Sequence, residues 1–291
     1  MFIEIGVIFA LGALIGWGFG DFLIQRSVRK LGDWEPLLII TGFGAVVLTP
    51  FVYGDIASLI FKSDYSFFVL LGASIAIFLT AIIDFEALRI GKIAVVEPVY
   101  AFEVPISALL AFVLLNESIA LFHAALVCAL IIGIFLVSLK SHHLSKKAWI
   151  EKGVALAVIA AVLQGTSNFM IGIAARETNF LVINWVMNLF IALVCAFYII
   201  TNKRTQKFVH HVKQNKKLLI TVSIFDNFAW VCYAAAVTLI PIAIAVGISE
   251  SYIALAALLG IFFNKEKLMR HQKFGLLLAL LGAVALAITY T

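Results

Sequence analysis

Ala94-Val95-Val96-Glu97-Pro98-Val99-Tyr100-Ala101-Phe102-Glu103-Val104-Pro105 runs on, without another charge, to Leu115-Asn116-Glu117. The stretch is long and apolar enough to cross a bilayer as a helix. It nevertheless carries Glu97 and Glu103, with Pro98 and Pro105 beside them. A carboxylate at the centre of a membrane helix costs about 2.5–3.5 kcal/mol on insertion scales. Each proline leaves a backbone carbonyl that something else must satisfy. A span that bears both burdens is expected to line a cavity.

The stretch has an echo in Ala243-Ile244-Ala245-Val246-Gly247-Ile248-Ser249-Glu250-Ser251-Tyr252, which runs on to Asn264-Lys265-Glu266. At an offset of 149, Ala94 meets Ala243, Ala108 meets Ala257, Glu117 meets Glu266 and Gly133 meets Gly282. Near the N-terminus the offset is 147: Gly6 meets Gly153, Gly18 meets Gly165, Asp21 meets Asn168, Phe22 meets Phe169 and Arg29 meets Arg176. The chain therefore reads as a duplication with a short length change, divided at 1–145 and 146–291.

Composition sets the class. Of 291 residues, 64% are hydrophobic and 13% charged, against about 45–50% and about 25% in a soluble domain. This is the composition of a polytopic membrane protein. The net charge of +5 then belongs to loops facing an anionic membrane surface and not to nucleic-acid binding. Cys128, Cys195 and Cys232 all lie in apolar runs, with no spacing for a disulfide or a metal site, and read as packing residues. The first apolar run has no basic leader and no small-residue cleavage site after it, so it reads as a span and not as a cleaved signal.

Ten stretches are long enough to span, near 5–25, 36–53, 67–88, 93–115, 119–139, 153–175, 181–201, 218–239, 242–263 and 274–290. Connections are short apart from the basic loops 140–152 and 202–217. Five spans per repeat is an odd number, so the second repeat enters the membrane inverted. Charge supports this. Of the 21 Lys and Arg residues, all but Lys62 and Arg176 flank alternate connections, from 1–2 to 9–10. Positive charge marks the cytoplasmic face, which places both termini outside the cytoplasm in an inner, cytoplasmic membrane.

Ten spans in two halves, the pattern Ala87-Leu88-x-x-Gly91 followed by Pro98, the apolar helix ending in Asn116-Glu117, and the Trp17-Gly18 pair resemble the EamA type of the drug/metabolite transporter superfamily. The resemblance covers essentially the whole chain. It implies an all-α transporter of ten transmembrane helices, in two inverted five-helix repeats around a central cavity formed by the first four helices of each half. It also implies that Asp21, Glu103, Asn168, Asp226 and Glu250 lie on cavity helices. Many members of that family carry both termini in the cytoplasm, and the charge distribution here points the other way.

The candidate site residues follow from spacing. Trp17 and Asp21 are four apart and share a helix face, with Asp21 either at the site or paired at its lip with Arg26 or Lys92. Gly12, Gly16 and Gly20 form a small-residue stripe that lets another helix approach. Gly72, Ala76, Thr80 and Asp84 step by four like the wall of a narrow cavity, while Glu86 and Arg89 are placed to pair near the interface. Asp226 shares a face with Trp230 and Tyr233. Glu103 and Glu250 sit at similar depth on equivalent helices, with Tyr100 nearby. An acid inside a membrane is either hydrogen-bonded to a neighbouring helix or functional, and function is the default reading. Aromatic rings beside acids suit a cation, although helix packing accounts equally for Trp17, Tyr100, Trp230 and Tyr233. His210-His211 lies in a basic run that reads as a solvated loop, and no metal site is implied.

The function expected is secondary transport of a small polar metabolite. No Walker motif is present for ATP coupling, so a gradient or exchange must drive uphill work, with protons as the natural coupling ion. Neither His-Glu-x-x-His nor Gly-x-Ser-x-Gly occurs, so no enzyme and no cofactor is implied. The alternative is a non-transporting scaffold or receptor. Seven acids on or near the expected cavity (Asp21, Asp84, Glu86, Glu97, Glu103, Asp226 and Glu250) disfavour phosphorylated substrates. They favour amines, amino acids or similar zwitterions, or a neutral solute moved with protons. Membrane lipid is the one macroscopic partner expected, and the sequence fixes no oligomeric state.

Overall fold

The computed structural model describes residues 2–61, 65–90, 99–100, 102–117, 119–138, 152–253, 255 and 269–289. Among them are ten helices and no strand. In the first half these are α1 (Phe2–Leu31), α2 (Trp34–Phe61), α3 (Tyr65–Ile90), α4 (Glu103–Leu115) and α5 (Leu121–Ser138). The second half holds α6 (Lys152–Glu177), α7 (Phe180–Thr201), α8 (Thr205–Leu239), α9 (Ile242–Ser249) and α10 (Arg270–Thr289). Six of them, α1–α3 and α6–α8, are long and apolar enough to cross a membrane. Large apolar side chains such as Val46, Phe51, Phe197 and Leu121 point outward, as they must when the solvent is lipid and not water. The chain is an integral, multi-pass membrane protein.

Glycine decides which helices meet. A Cβ on Gly6 would fall 2.7 Å from Ile240, one on Gly12 3.0 Å from Cys232, and one on Gly16 2.7 Å from Ala229. The stripe therefore lets α1 lie directly on α8, and the order of contacts shows that the two run antiparallel. α2 and α7 also run antiparallel. Trp34 stacks on Tyr198 at 3.8 Å at one end, and Trp185 donates to Thr49 at 2.9 Å further along. α5 and α10 do the same, with Gly133 against Ala279 and His123 beside the Thr289 carbonyl. Thr80 and Ser167 join α3 to α6 at 3.0 Å. Each of these pairings maps onto itself or another when the two halves are exchanged.

The sequence expected the fourth and ninth spans as continuous helices. α4 starts only at Glu103, and residues 91–98, including Glu97 and Pro98, lie outside the described part. α9 ends after eight residues, at Ser249. The Ser251 amide then bonds back to Ile248 at 3.2 Å, and the Ile253 amide to Glu250 at 3.3 Å, a 3₁₀-like tightening. Phe102 makes the same three-residue bond to Val99, at 3.2 Å. Ser249 and Ser251 help by bonding back to the Val246 and Gly247 carbonyls.

The basic stretch after Thr201 is not a loop. Thr205 onward is helical and continues into α8, with non-helical dihedrals at Asn215. Its charged side chains are exposed, which a helix allows as readily as a loop, while His211 pairs with Glu35 at the start of α2. Asp33, in the α1–α2 turn, pairs with Arg89 at the end of α3. The ends of α1, α3 and α7 and the start of α8 thus share one end of the bundle. Cys195 and Cys232 are buried as expected, but Cys128 is exposed on the outer surface of α5.

Candidate functional site

A cavity of about 130 Å3 lies at the centre of the bundle. Nine of the residues singled out from the sequence line it: Trp17, Asp21, Thr80, Asp84, Tyr100, Glu103, Asp226, Trp230 and Glu250. Tyr233 and Asn168 stand behind its wall. Tyr233 is fully buried against Trp17, ring centroids 5.6 Å apart, and its hydroxyl donates to the Asn168 carbonyl at 2.9 Å. Asn168 is also fully buried, and its amide donates to Glu103 at 3.4 Å.

The walls are set by helix spacing. On α1, Trp17 and Asp21 point the same way one turn apart. Trp17 meets Trp230 edge-to-face at 5.0 Å, a geometry the ring quadrupoles favour. On α3, Thr80 and Asp84 line the wall as expected, while Gly72 serves packing, against Met170. Asp21 faces Tyr252 and not Arg26, whose guanidinium lies over the Phe22 ring at 4.2 Å. Asp84 faces Tyr100, and Glu103 and Glu250 face each other. Glu250 keeps one carboxylate oxygen, Oε2, buried with no hydrogen-bond partner. In a low-dielectric interior such an atom is destabilising unless a proton or a ligand meets it.

Glu86 does not belong to this group. It pairs with Arg89 near the end of α3, as the three-residue spacing leads one to expect. Glu97 lies outside the described residues. Among the described residues, five carboxylates line the cavity and no Lys, Arg or His does.

Sequence reasoning missed a polar seam between α2, α7 and α8. Thr41, Asn184 and Asn188 line the cavity. Asn188 donates to Asn227 at 3.0 Å, and Asn227 donates to the Ile40 carbonyl at 2.9 Å. Gly44 makes room for both amides. The signal was there: Asn184 and Asn188 are four apart in an otherwise apolar span. Gln164 and Tyr252 also line the cavity and were not singled out.

The EamA-like transporter family matches the chain twice, over residues 4–139 and 151–288. The chain belongs to that family. It is a membrane transporter of two-repeat architecture. No curated protein of similar sequence was found. A solved structure described only as "Crystal structure of protein" superposes with a TM-score of 0.77 at 14% identity, covering 98% of this chain and 96% of that one. At that identity the likeness shows the fold alone.

Proposed function

We propose that the chain is a secondary transporter that moves a small amine, amino acid or similar zwitterion across the cytoplasmic membrane. Its halves, 1–145 and 146–291, are inverted five-helix repeats that rock about the cavity. Coupling is to protons or by exchange. The observation that carries the reading is the set of five carboxylates around a cavity that no Lys, Arg or His lines among the described residues.

An anionic substrate would meet uncompensated like charge there. An ammonium group finds carboxylates and the faces of Trp17 and Trp230, which attract it further. A cavity of about 130 Å3 suits a metabolite of modest size better than a nucleotide sugar. A carboxylate that resists ionisation when dry can take up a proton on one side and release it on the other, and a cation competes for the same ionised form. Antiparallel contact of α2 with α7 and of α5 with α10 supports inversion, because only a two-fold axis across the helices exchanges such partners.

A thermal-shift screen of purified protein tests the substrate class. Amines and zwitterionic amino acids are expected to raise the Tm, and sugar phosphates and nucleotide sugars are not. Stabilisation by the phosphorylated compounds alone would overturn the reading.

A further inference from the structure

Arg176 breaks the charge pattern. It is a basic residue at the end of the bundle away from the basic connections, and it is not idle. It ion-pairs with Glu117. Its Nε donates to the Val237 carbonyl at 2.7 Å and its Nη2 to the Ile240 carbonyl at 3.2 Å. Glu117 in turn accepts the Ile242 amide at 3.0 Å.

Three of these bonds meet the orphan groups of two helix ends. α8 stops at Leu239, and its last carbonyls have no helical partner. α9 starts at Ile242 after Pro241, whose side chain offers no cap. Arg176 takes the carbonyls and Glu117 takes the amide. The pair therefore stitches the α8–α9 turn to α6 and to the α4–α5 connection. Glu117 belongs to the first repeat and the other three elements to the second.

The same end of the bundle is shut. α9 is buried along its whole length, and Ala234, Ala235, Ala236 and Val237 of α8 are buried too. Gly6 and Gly172 let α1 and α6 close directly on Ile240 and Ile242. The cavity reaches the other way, toward Ile24, Leu37 and Phe85. At that end Arg29, the repeat counterpart of Arg176, is exposed and has no ion-pair partner among the described residues.

We propose that the Arg176–Glu117 pair is a latch that holds the cavity closed at the end away from the basic connections. Opening that end means parting the first repeat from the α8–α9 turn, and two contacts cross that seam, Glu117 with Arg176 and Glu117 with the Ile242 amide, while Arg176 anchors the turn to α6. Breaking it shifts the population toward the state open on that side. The proposal assumes alternating access, but it does not depend on the cavity acids or on the substrate.

The test uses purified full-length protein with its three cysteines replaced and one cysteine introduced at a time. Val7→Cys reports the closed end and Thr41→Cys the cavity wall toward the basic end. Both positions are buried. Reaction with a water-soluble maleimide is timed with and without Arg176→Gln or Glu117→Gln. Hydrogen bonds to charged groups of this kind set populations by about tenfold or more. The variants are therefore expected to speed labelling at position 7 by about tenfold and to slow it at position 41. Arg29→Gln is expected to leave position 7 unchanged. Unchanged labelling at position 7 in both latch variants overturns the proposal. So does faster labelling at both positions, which would mark general loosening and not a gate. The assay reads no transport, so failure here and failure of the substrate reading are separate results.

Discussion

Asn168 donates its amide to Glu103 at 3.4 Å, and the residues equivalent to this pair in the other repeat, Asp21 and Tyr252, also face each other. The offsets that align the halves, 147 for the first helix and 149 for the fourth, map one pair onto the other. Each pair holds one acid and one neutral donor, but on opposite members. The duplication has kept the contact and moved the charge. Asn168→Leu removes the donor and also strands Gln164, which bonds Asn168 at 3.0 Å. Each buried polar group left without a partner costs about 1–3 kcal/mol. Tyr252→Phe removes a single hydroxyl. A lower Tm is expected in both variants, with the larger fall in Asn168→Leu, read by thermal unfolding in detergent. Equal or absent shifts would contradict the pairing.

Helix approach at Gly133 makes a second prediction. A Cβ there would lie 2.5 Å from the Ala279 amide nitrogen and 2.8 Å from the Gly275 carbonyl oxygen. Backbone atoms cannot rotate away, so Gly133→Ala must push α5 from α10. The expected cost is about 1–3 kcal/mol, as for other overpacking. Gly42 in α2 has nothing within 4 Å of the same position, so Gly42→Ala should be neutral or stabilising by up to about 1 kcal/mol. The two Tm shifts, measured side by side, should differ in sign or several-fold in size.

The glycine stripe, the Trp17–Asp21 face and the pair Glu103 and Glu250 were legible because each breaks an apolar pattern or repeats at helical spacing. Asn184, Asn188 and Asn227 were not, because uncharged polar residues hardly disturb the hydropathy of a span and their partners come from other helices. Arg176 could be seen as an exception to the charge rule. Its role could not, because that rests on backbone carbonyls at the end of α8. The helix after Thr205 was masked by its own charge: a basic run reads as loop whether or not it is helical. The Glu86–Arg89 pair was legible too, because a three-residue spacing puts both side chains on one helix face.

Asp33 offers a pH test outside the spans. Burial pushes its carboxyl up to about 6, against the pull of Arg89, while Glu86 adds to the rise. Its folded pKa lies above the unfolded value of 3.8, so the native state binds the extra proton between the two. The ionised form therefore opposes folding above about pH 6, and that opposition fades as the pH falls toward about 4. Asp33→Asn removes the titration. On acidification from about pH 7 to about pH 4, wild type should gain Tm relative to the variant. Parallel curves would contradict the assignment.

Orientation is tested at two exposed positions, Ile3 and Lys203, which the helix order places at opposite ends of the bundle. The basic end is expected in the cytoplasm. In intact cells an impermeant maleimide should then label Ile3→Cys and spare Lys203→Cys. The reverse result would mean that the charge rule fails for this chain and that both termini are cytoplasmic.

The last prediction concerns Glu250. It is 2% exposed, lines the cavity, faces Glu103 and holds one unpartnered oxygen. In the proposed mechanism the facing pair shares a proton or holds a cation in its place. Glu250→Gln keeps the size but removes both charge and titration. Uptake of a ligand found by thermal shift, driven by a proton gradient into vesicles of reconstituted protein, should fall to background. Counterflow of the same ligand without a gradient separates the two roles of the residue. If Glu250 carries only the proton, counterflow persists in the variant; if it also holds the ammonium group, counterflow is lost too. Glu103→Gln and Asp226→Asn apply the same two readouts to the facing acid and to the acid beside Trp230. Wild-type uptake with unchanged pH dependence in all three variants would remove the cavity acids from the mechanism.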